Sequence, residues 1–311
     1  MGCRERKIFF ASPPNCYNES LQTVLLLTER HSERLFSGAL CFIGANTMPS
    51  TYGFAIHAFD SNIQVATGCL EAYAILERYV FPSLPRLVSD AGKPRIFIRL
   101  DRVGDQFELS ADDVAVASAS QVIDLVPELI RVLDETVIQH LTTMRAVHAG
   151  CVLWREQVLL LPGMTHAGKS SLVAELLRRG ATYFSDEYAL IDAEGRVHPY
   201  PRPLLLRNGC PEQFPVLAGE CNALIGDTPA PVGWILALEY LPECTWSVAA
   251  VPQSEALLIL LRNTPHILAE SRDMVEIFQR AVAGAACYSG RRSEAAEAVG
   301  QILQLLNGPA A

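Results

Sequence analysis

One segment, residues 159–172 with the sequence LLLPGMTHAGKSSL, limits the possible folds more than any other part of the chain. It fits the pattern G-x4-G-K-[ST], in which a glycine-rich turn follows a buried strand and opens a helix. The backbone N–H groups of such a turn point at a polyphosphate, and the positive end of the helix adds to the attraction. A continuous apolar run precedes the motif and an amphipathic run follows it. The segment therefore predicts a nucleotide-binding α/β unit.

The motif assigns roles to particular side chains. Lys169 would contact the β- and γ-phosphates, and the hydroxyl of Ser170 would hold Mg²⁺. A chance match has odds on the order of one in a thousand, and the chain holds only three lysines; an ordinary glycine-rich turn is the alternative. His166 stands where glycine is common, so its imidazole either is simply accommodated or lies near the γ-phosphate. The predicted nucleotide-binding residues are Gly163, Thr165, His166, Ala167, Gly168, Lys169, Ser170 and Ser171.

Two further features flank the motif. Asp186 and Glu187 follow a strand-like run that comes after the P-loop helix. If that strand runs beside the P-loop strand, these carboxylates lie near the phosphates and can ligate Mg²⁺ or accept a proton. A helix cap or solvated turn is the alternative. His148 lies in the strand-like run before the P-loop, and a lone histidine is more often a core or surface residue.

The spacing of these residues resembles the C-terminal catalytic domain of the HPr serine kinase/phosphorylases. His148 lies 21 residues before Lys169, and Asp186 and Glu187 lie 17 and 18 residues after it. The likeness is close over residues 145–210. A weaker likeness extends across the chain to the HPr-kinase-related proteins of bacterial peptide-modification clusters, such as lasso-peptide precursor kinases. The stretches that carry it are HAG at 148–150, LLPG at 160–163, FSDE at 184–187 and PYPRPL at 199–204.

The resemblance implies a mixed sheet related to phosphoenolpyruvate carboxykinase, not an all-parallel P-loop core. It implies that Asp186 is the general base for a serine hydroxyl and that His148 orients that carboxylate. Lys169 would stabilise the transferring phosphoryl group, while Ser170 with Asp186 or Glu187 would bind the metal. Glu187 departs from the family, which has aspartate at that position.

A second departure concerns the segment that follows. Residues 205–209, LLRNG, replace the Glu-Ile-Arg-Gly stretch of true HPr kinases, and the missing glutamate argues against the bifunctional enzyme. Arg202 and Arg207 are candidate contacts for ATP or another anion, and solvated arginines are the alternative.

Composition excludes several classes of protein. The net charge is −9 and is spread over both halves of the chain, so neither half offers the basic face of a nucleic-acid binder. The apolar run 256–261 is far shorter than the roughly 20 residues of a membrane span. No apolar signal-like stretch follows the charged N-terminus, and the nine cysteines contain no CxxC pair. We therefore expect a cytoplasmic protein with free thiols, and neither membrane nor nucleic acid as a partner.

Periodicity divides the chain into three parts. We expect an N-terminal α+β domain over residues 1–119, a linking helix over 120–144 and a P-loop catalytic domain over 145–311. Strands are predicted over 22–27, 52–59, 95–100, 106–109, 147–154, 157–161, 182–184, 188–191 and 232–240, and helices over 71–80, 170–179, 274–283 and 294–306.

These observations predict an ATP- and Mg²⁺-dependent kinase that phosphorylates a serine of a peptide or small protein, such as a ribosomal-peptide precursor. A small-metabolite kinase and a non-catalytic nucleotide-binding module are the alternatives. The apolar Leu303 and Leu306 near the C-terminus belong either to the core or to the interface of a homo-oligomer.

Overall fold

The computed structural model describes residues 51–308 except 83, 85–92, 164–166, 208–211 and 266–270. This part of the chain is a mixed α/β structure with six helices, as the α/β prediction requires. The strand predicted over 22–27 lies outside the described residues. None of the described helices is both long and apolar enough to cross a membrane.

The first sheet has five strands in sequence order. Only β2 and β3 are parallel, because the first helix connects them as a crossover. The aliphatic side chains that face this helix and the second one are buried in a common core. The elements are β1 (Tyr52–Ala58), β2 (Ser61–Thr67), α1 (Leu70–Tyr79), β3 (Ile96–Val103), β4 (Gln106–Ala111), β5 (Val114–Ala119) and α2 (Val126–Gln139).

Helix α2 is shorter than the linking helix predicted over 120–144. A 3₁₀ turn over Val122–Leu125 precedes it, and the next strand already begins at Met144. The connection between them is fixed by Asp60, whose carboxylate accepts hydrogen bonds from the backbone N–H of Thr142 at 2.8 Å and from its hydroxyl at 3.0 Å. These hydrogen bonds to the β1–β2 turn hold the connection in a non-helical conformation, so the helix does not continue to residue 144. The predicted domain boundaries stay a prediction.

The second sheet has eight strands in the order β10-β9-β6-β7-β13-β15-β14, and β8 pairs with β6. Its strands are β6 (Met144–Trp154), β7 (Gln157–Pro162), β8 (Thr182–Ser185), β9 (Tyr188–Asp192), β10 (Arg196–His198), β13 (Ala230–Tyr240), β14 (Ser247–Ala250) and β15 (Ala286–Arg292). Because β10 also pairs with the start of β13, the strands β10, β9, β6, β7 and β13 form a closed ring. A separate pair joins β11 (Leu204–Leu206) to β12 (Phe214–Val216).

Strand directions set where loops meet. Strands β6 and β7 form a hairpin whose turn residues, Arg155 and Glu156, both have positive φ (48° and 64°), as a type I′ turn requires. Strand β7 is parallel to β13, and β13 is parallel to β15. The sheet is therefore mixed, and the carboxyl ends of β7, β13 and β15 lie at one edge.

Helices cover both faces of this sheet. One core contains the apolar faces of α3 (Lys169–Arg178) and α6 (Ala295–Asn307). The other contains those of α4 (Gln253–Arg262) and α5 (Ser271–Val282). Leu306 is buried in the first of these cores, so the structure assigns it to the fold of the chain itself.

Candidate functional site

The P-loop segment connects β7 to α3, the arrangement that its sequence predicts. Gly163 follows the last residue of β7, and Lys169 is the first helical residue. Gly168 has a φ of +73°, and a Cβ on it would collide with Nη2 of Arg292. Only glycine fits this position without strain. Thr165 and His166 lie outside the described residues, so their predicted roles stay predictions.

Lys169 lies across the base of the loop. Its ammonium group donates a hydrogen bond to the carbonyl oxygen of Gly163 at 2.9 Å and lies 3.2 Å from Nε2 of His148. Only 8% of this residue is exposed, and burial lowers its pKa although the charges of Glu187 and Asp186 act in the opposite direction. A cation held in this way needs an anion beside it, and carboxylates and phosphate oxygens both meet that need.

His148 contacts Glu187 and not Asp186. Its Nε2 lies 2.6 Å from Oε1 of Glu187, so the orienting contact expected with Asp186 is made with Glu187 instead, and the alternative that His148 tunes Asp186 stays a prediction. The backbone explains the pairing: the N–H of Ala149 donates to the carbonyl oxygen of Glu187, at the point where β6 and β9 pair. Burial acts to raise the pKa of Glu187, but the hydrogen bond with His148 and the charges of Arg202 and Lys169 hold it below its usual value. Glu187 is therefore a carboxylate kept ionised.

Asp186 is fully buried on the other side of this turn. Its Oδ1 accepts hydrogen bonds from the hydroxyl of Tyr183 at 3.0 Å and from Nη1 of Arg202 at 3.2 Å. Its Oδ2 has no hydrogen-bond partner among the residues that the structure describes. Asp186 thus has one oxygen fixed and one oxygen whose hydrogen-bonding capacity is unused.

Arg202 is a buried residue, not a solvated one, and it bridges two carboxylates. Besides Asp186 it faces Asp134 of α2, whose Oδ2 lies 2.9 Å from Nε although that N–H does not point at the oxygen. The hydroxyl of Tyr200 donates to Oδ1 of Asp134 at 2.8 Å. Burial raises the pKa of Asp134 to about 7, against the opposing charge of Arg202. Sequence reasoning missed Asp134, although a charged residue on the apolar face of α2 is an available signal.

Arg292, at the end of β15, is a second residue that the sequence did not reveal. Its Nη2 donates hydrogen bonds to the carbonyl oxygens of Ala167 at 2.8 Å and Gly168 at 3.0 Å, and its guanidinium lies 5.1 Å from the ring centre of Tyr240. It is almost completely buried. Arg292 therefore holds the backbone at the end of the loop, where α3 begins.

Lys169, Glu187, Asp134 and Arg202 line a cavity of about 450 Å³, and His148, Asp186 and Arg292 do not line it. The start of α3, the turn that bears Glu187, and helix α2 form its walls, and Arg207 lines it as well. Strand β8 does not lie beside β7 as predicted; β6 lies between them, and Glu187 still reaches the cavity because the turn after β8 projects towards it. The predicted residues that share this cavity are Gly168, Lys169, Ser170, Ser171, Glu187, Arg202 and Arg207.

The described residues contain no group of three or more histidine, cysteine, aspartate or glutamate side chains arranged to hold a metal ion. A magnesium ion bound to a nucleotide needs fewer protein ligands than this, because phosphate oxygens and water complete its six ligands. The hydroxyl of Ser170 and the unpaired Oδ2 of Asp186 are oxygen donors of the kind it prefers. Ser170 lines the cavity and fits a phosphate-bound Mg²⁺, whereas Asp186 is fully buried and is not among the residues that line it, so its metal role stays a prediction.

The chain matches no protein-family model and no curated protein.

Proposed function

We propose that this chain is an ATP- and Mg²⁺-dependent kinase that transfers the γ-phosphoryl group to a serine hydroxyl of a peptide or small protein. One observation carries the proposal: the buried ammonium of Lys169 and the carboxylate of Glu187 line one cavity, and Nε2 of His148 lies 2.6 Å from Oε1 of Glu187 and 3.2 Å from the ammonium. Phosphoryl transfer requires groups that bind the phosphates and a carboxylate that can accept the proton of the attacking hydroxyl, and a P-loop with a carboxylate facing it provides both. The resemblance to the HPr kinases supports the same reaction.

Phosphate binding depends on the loop and on Lys169. The backbone N–H groups at the start of α3 and the positive helix end attract the polyphosphate, and Lys169 neutralises charge on the γ-phosphoryl group as it transfers. Ser170 would hold Mg²⁺ together with phosphate oxygens and water, and the ion when bound would neutralise further charge on the phosphate oxygens. Phosphoryl transfer needs little more from the protein than this positioning and charge neutralisation.

Glu187 is the proposed proton acceptor, in place of the Asp186 expected from the resemblance. Its side chain is 32% exposed and lines the cavity, whereas Asp186 is fully buried and held by Arg202. The serine oxygen forms a bond to the γ-phosphorus as the bond to the β–γ bridging oxygen breaks. The serine proton passes to Glu187, and ADP leaves. His148 holds the carboxylate in place through its hydrogen bond.

The test is transfer from ATP to serine-containing peptides encoded near the gene for this chain, measured by product mass. Glu187→Gln keeps the shape and removes the charge, so transfer should fall about 100-fold or more while ATP affinity stays within about threefold. Glu128→Gln is the matched control, because Glu128 lines the same cavity but is paired with Arg131. If Glu187→Gln transfers phosphate at the wild-type rate and Asp186→Asn does not transfer it, Asp186 and not Glu187 is the proton acceptor.

A small anionic metabolite is a second candidate acceptor. The cavity volume of about 450 Å³ lies within the usual range for small-molecule pockets, about 300–1,000 Å³. Arg207 lines it, and so does Arg131, although Arg131 is already paired with Glu128 and Glu135. Activity on phosphorylated or carboxylated alcohols, with none on any peptide, would favour this candidate.

A further inference from the structure

A second and larger cavity, of about 880 Å³, adjoins the P-loop. Residues Pro162, Gly163 and Ala167 line one side of it, so it begins where the phosphate-binding segment begins. Its floor is formed by residues 237–239 of β13 and 289–291 of β15, and α4 provides the remaining wall. The mechanism above uses none of these residues.

The position of this cavity in the sheet separates it from the site of transfer. In strand order, β6 and β9, which carry or flank His148 and Glu187, lie on one side of β7, and β13 and β15 lie on the other. Open α/β sheets bind ligands at the carboxyl ends of parallel strands, and β7, β13 and β15 supply three such ends here. A triphosphate on the loop with its γ-phosphoryl group near Glu187 would therefore extend towards β13 and β15.

The lining of the cavity suits a flat, partly apolar ligand. Leu258 of α4 is 52% exposed, and Ile259 and the small residue Ala237 line the same cavity. Polar groups surround this apolar patch, among them the ion pair of Glu239 with Arg291 at 3.3 Å. An apolar surface with a few polar groups at its border is typical of cofactor and nucleotide pockets.

Asn263, at the end of α4, provides a specific polar group. Its Nδ2 donates to the carbonyl oxygen of Ile259 at 2.8 Å, and its Oδ1 is buried without a hydrogen-bond partner among the residues that the structure describes. Its own carbonyl oxygen accepts the backbone N–H of His148 at 2.7 Å, which fixes Asn263 relative to the catalytic turn. A buried acceptor without a partner is costly, and a ligand that donates a hydrogen bond would remove the cost.

We propose that this second cavity binds the base and ribose of the nucleoside triphosphate, with the base against Leu258 and Ile259. The inference rests on the proposed kinase function, and it assigns the two cavities different ligands. The nucleoside occupies the cavity between β13, β15 and α4, and the phosphate acceptor enters through the cavity beside α2. A nucleoside donor group, either a ribose hydroxyl or an exocyclic amine, satisfies Oδ1 of Asn263.

The experiment compares two probes by calorimetry in the presence of Mg²⁺: ATP and inorganic tripolyphosphate, which lacks the nucleoside. Leu258→Ser removes the apolar contact, and Ala237→Leu fills the floor of the cavity. Each variant should bind ATP about fivefold or more weakly and tripolyphosphate within about twofold of the wild type. Leu70→Ser is the matched control, because Leu70 is 51% exposed on another helix and borders neither cavity.

The outcomes separate this inference from the function on which it rests. If the wild type binds neither probe, the proposed function is wrong and the inference falls with it. If the wild type binds both and the two cavity variants bind ATP as tightly as the control does, the function stands and the nucleoside lies elsewhere. An equal loss of both probes would mean that the variants distort the P-loop, and it too would overturn the assignment.

Discussion

At the scale of single residues, one contact between distant parts of the chain holds the backbone of Ala167 and Gly168, where the P-loop segment ends. Arg292 donates to the carbonyl oxygens of Ala167 and Gly168, and it reaches them only because Gly168 has no side chain. The carbonyl oxygen and the N–H of a peptide group point in opposite directions. Because Arg292 binds the carbonyl oxygens, the N–H groups of the same peptides point away from it and can face a phosphate. Arg292 therefore contributes to anion binding without touching the anion.

Two glycines with positive φ allow this contact to be tested. Gly168→Ala and Gly180→Ala both place a Cβ on a left-handed residue (φ +73° and +95°), but only the first meets Arg292, since nothing lies within 4 Å of a Cβ on Gly180. Gly180→Ala should cost about 1 kcal/mol of unfolding free energy, and Gly168→Ala about 2–4 kcal/mol, with loss of nucleotide affinity. Urea unfolding and ATP titration measure the two effects. Equal behaviour of the variants would refute the role of Arg292.

At the scale of elements, a buried network of ionisable side chains connects helix α2 to the turn that bears Asp186 and Glu187. Asp134 of α2, Arg202 and Asp186 form a continuous line of ionisable groups, with Tyr200 and Tyr183 donating to the two carboxylates. Such a network costs desolvation energy and adds little net stability, but removal of Arg202 would leave the carboxylate of Asp186 buried without its cation. Its value here is to hold Asp186 in one position relative to α2.

The network should make stability depend on pH. Burial raises the pKa of Asp134 from 3.8 to about 7, so between these values the folded chain binds one proton more than the unfolded chain. The contribution of Asp134 to stability therefore falls as pH rises through that window. The Asp134→Asn variant has no titrating group at this position. The unfolding free energy of the wild type minus that of the variant should therefore decrease by at least about 1 kcal/mol between pH 4 and pH 8.

Urea unfolding of both proteins at the two pH values measures this change. Glu135→Gln is the control, because its neighbour Glu135 is exposed and paired with Arg131 on the surface. An advantage that rises with pH would show that Asp134 is ionised in the folded chain, and it would contradict this account.

Elements with a clear periodic pattern could be predicted from the sequence, and ambiguous ones could not. The continuous apolar run of β7 and the amphipathic pattern of α3 predict the bounds of these two elements within a residue or two. The three-residue strands β10 and β11 are too short to carry a pattern. Helix α4 was missed because the apolar run 256–261 suits strand and helix equally; only Ala256 and Leu260 on it are buried.

At the scale of the whole molecule, the candidate site is assembled from segments that are far apart in the sequence. The motif residues could be named because local spacing specifies them, as for Lys169 and Ser170. The partners of His148, Asp186 and Gly168 could not, because Glu187, Arg202 and Arg292 reach them only through strand pairing. The pairing of β6 with β9 brings Glu187 to His148, Arg292 stands at the end of β15 beside β13, and Arg202 lies in the segment between β10 and β11. The sequence thus predicts the chemistry of the site more fully than its contacts.

The central claim is that the P-loop cavity binds a nucleoside triphosphate, and ligand-dependent thermal unfolding tests it most directly. At one hundred times Kd, ATP with Mg²⁺ should stabilise the folded wild type by about 2.7 kcal/mol. Lys169→Ala should lose most of that ligand-induced shift, whatever its own stability, because it lacks the buried ammonium at the loop. Lys93→Ala, which changes an exposed lysine, should keep the full shift. A wild type whose unfolding responds to no nucleoside triphosphate with Mg²⁺ would contradict the account.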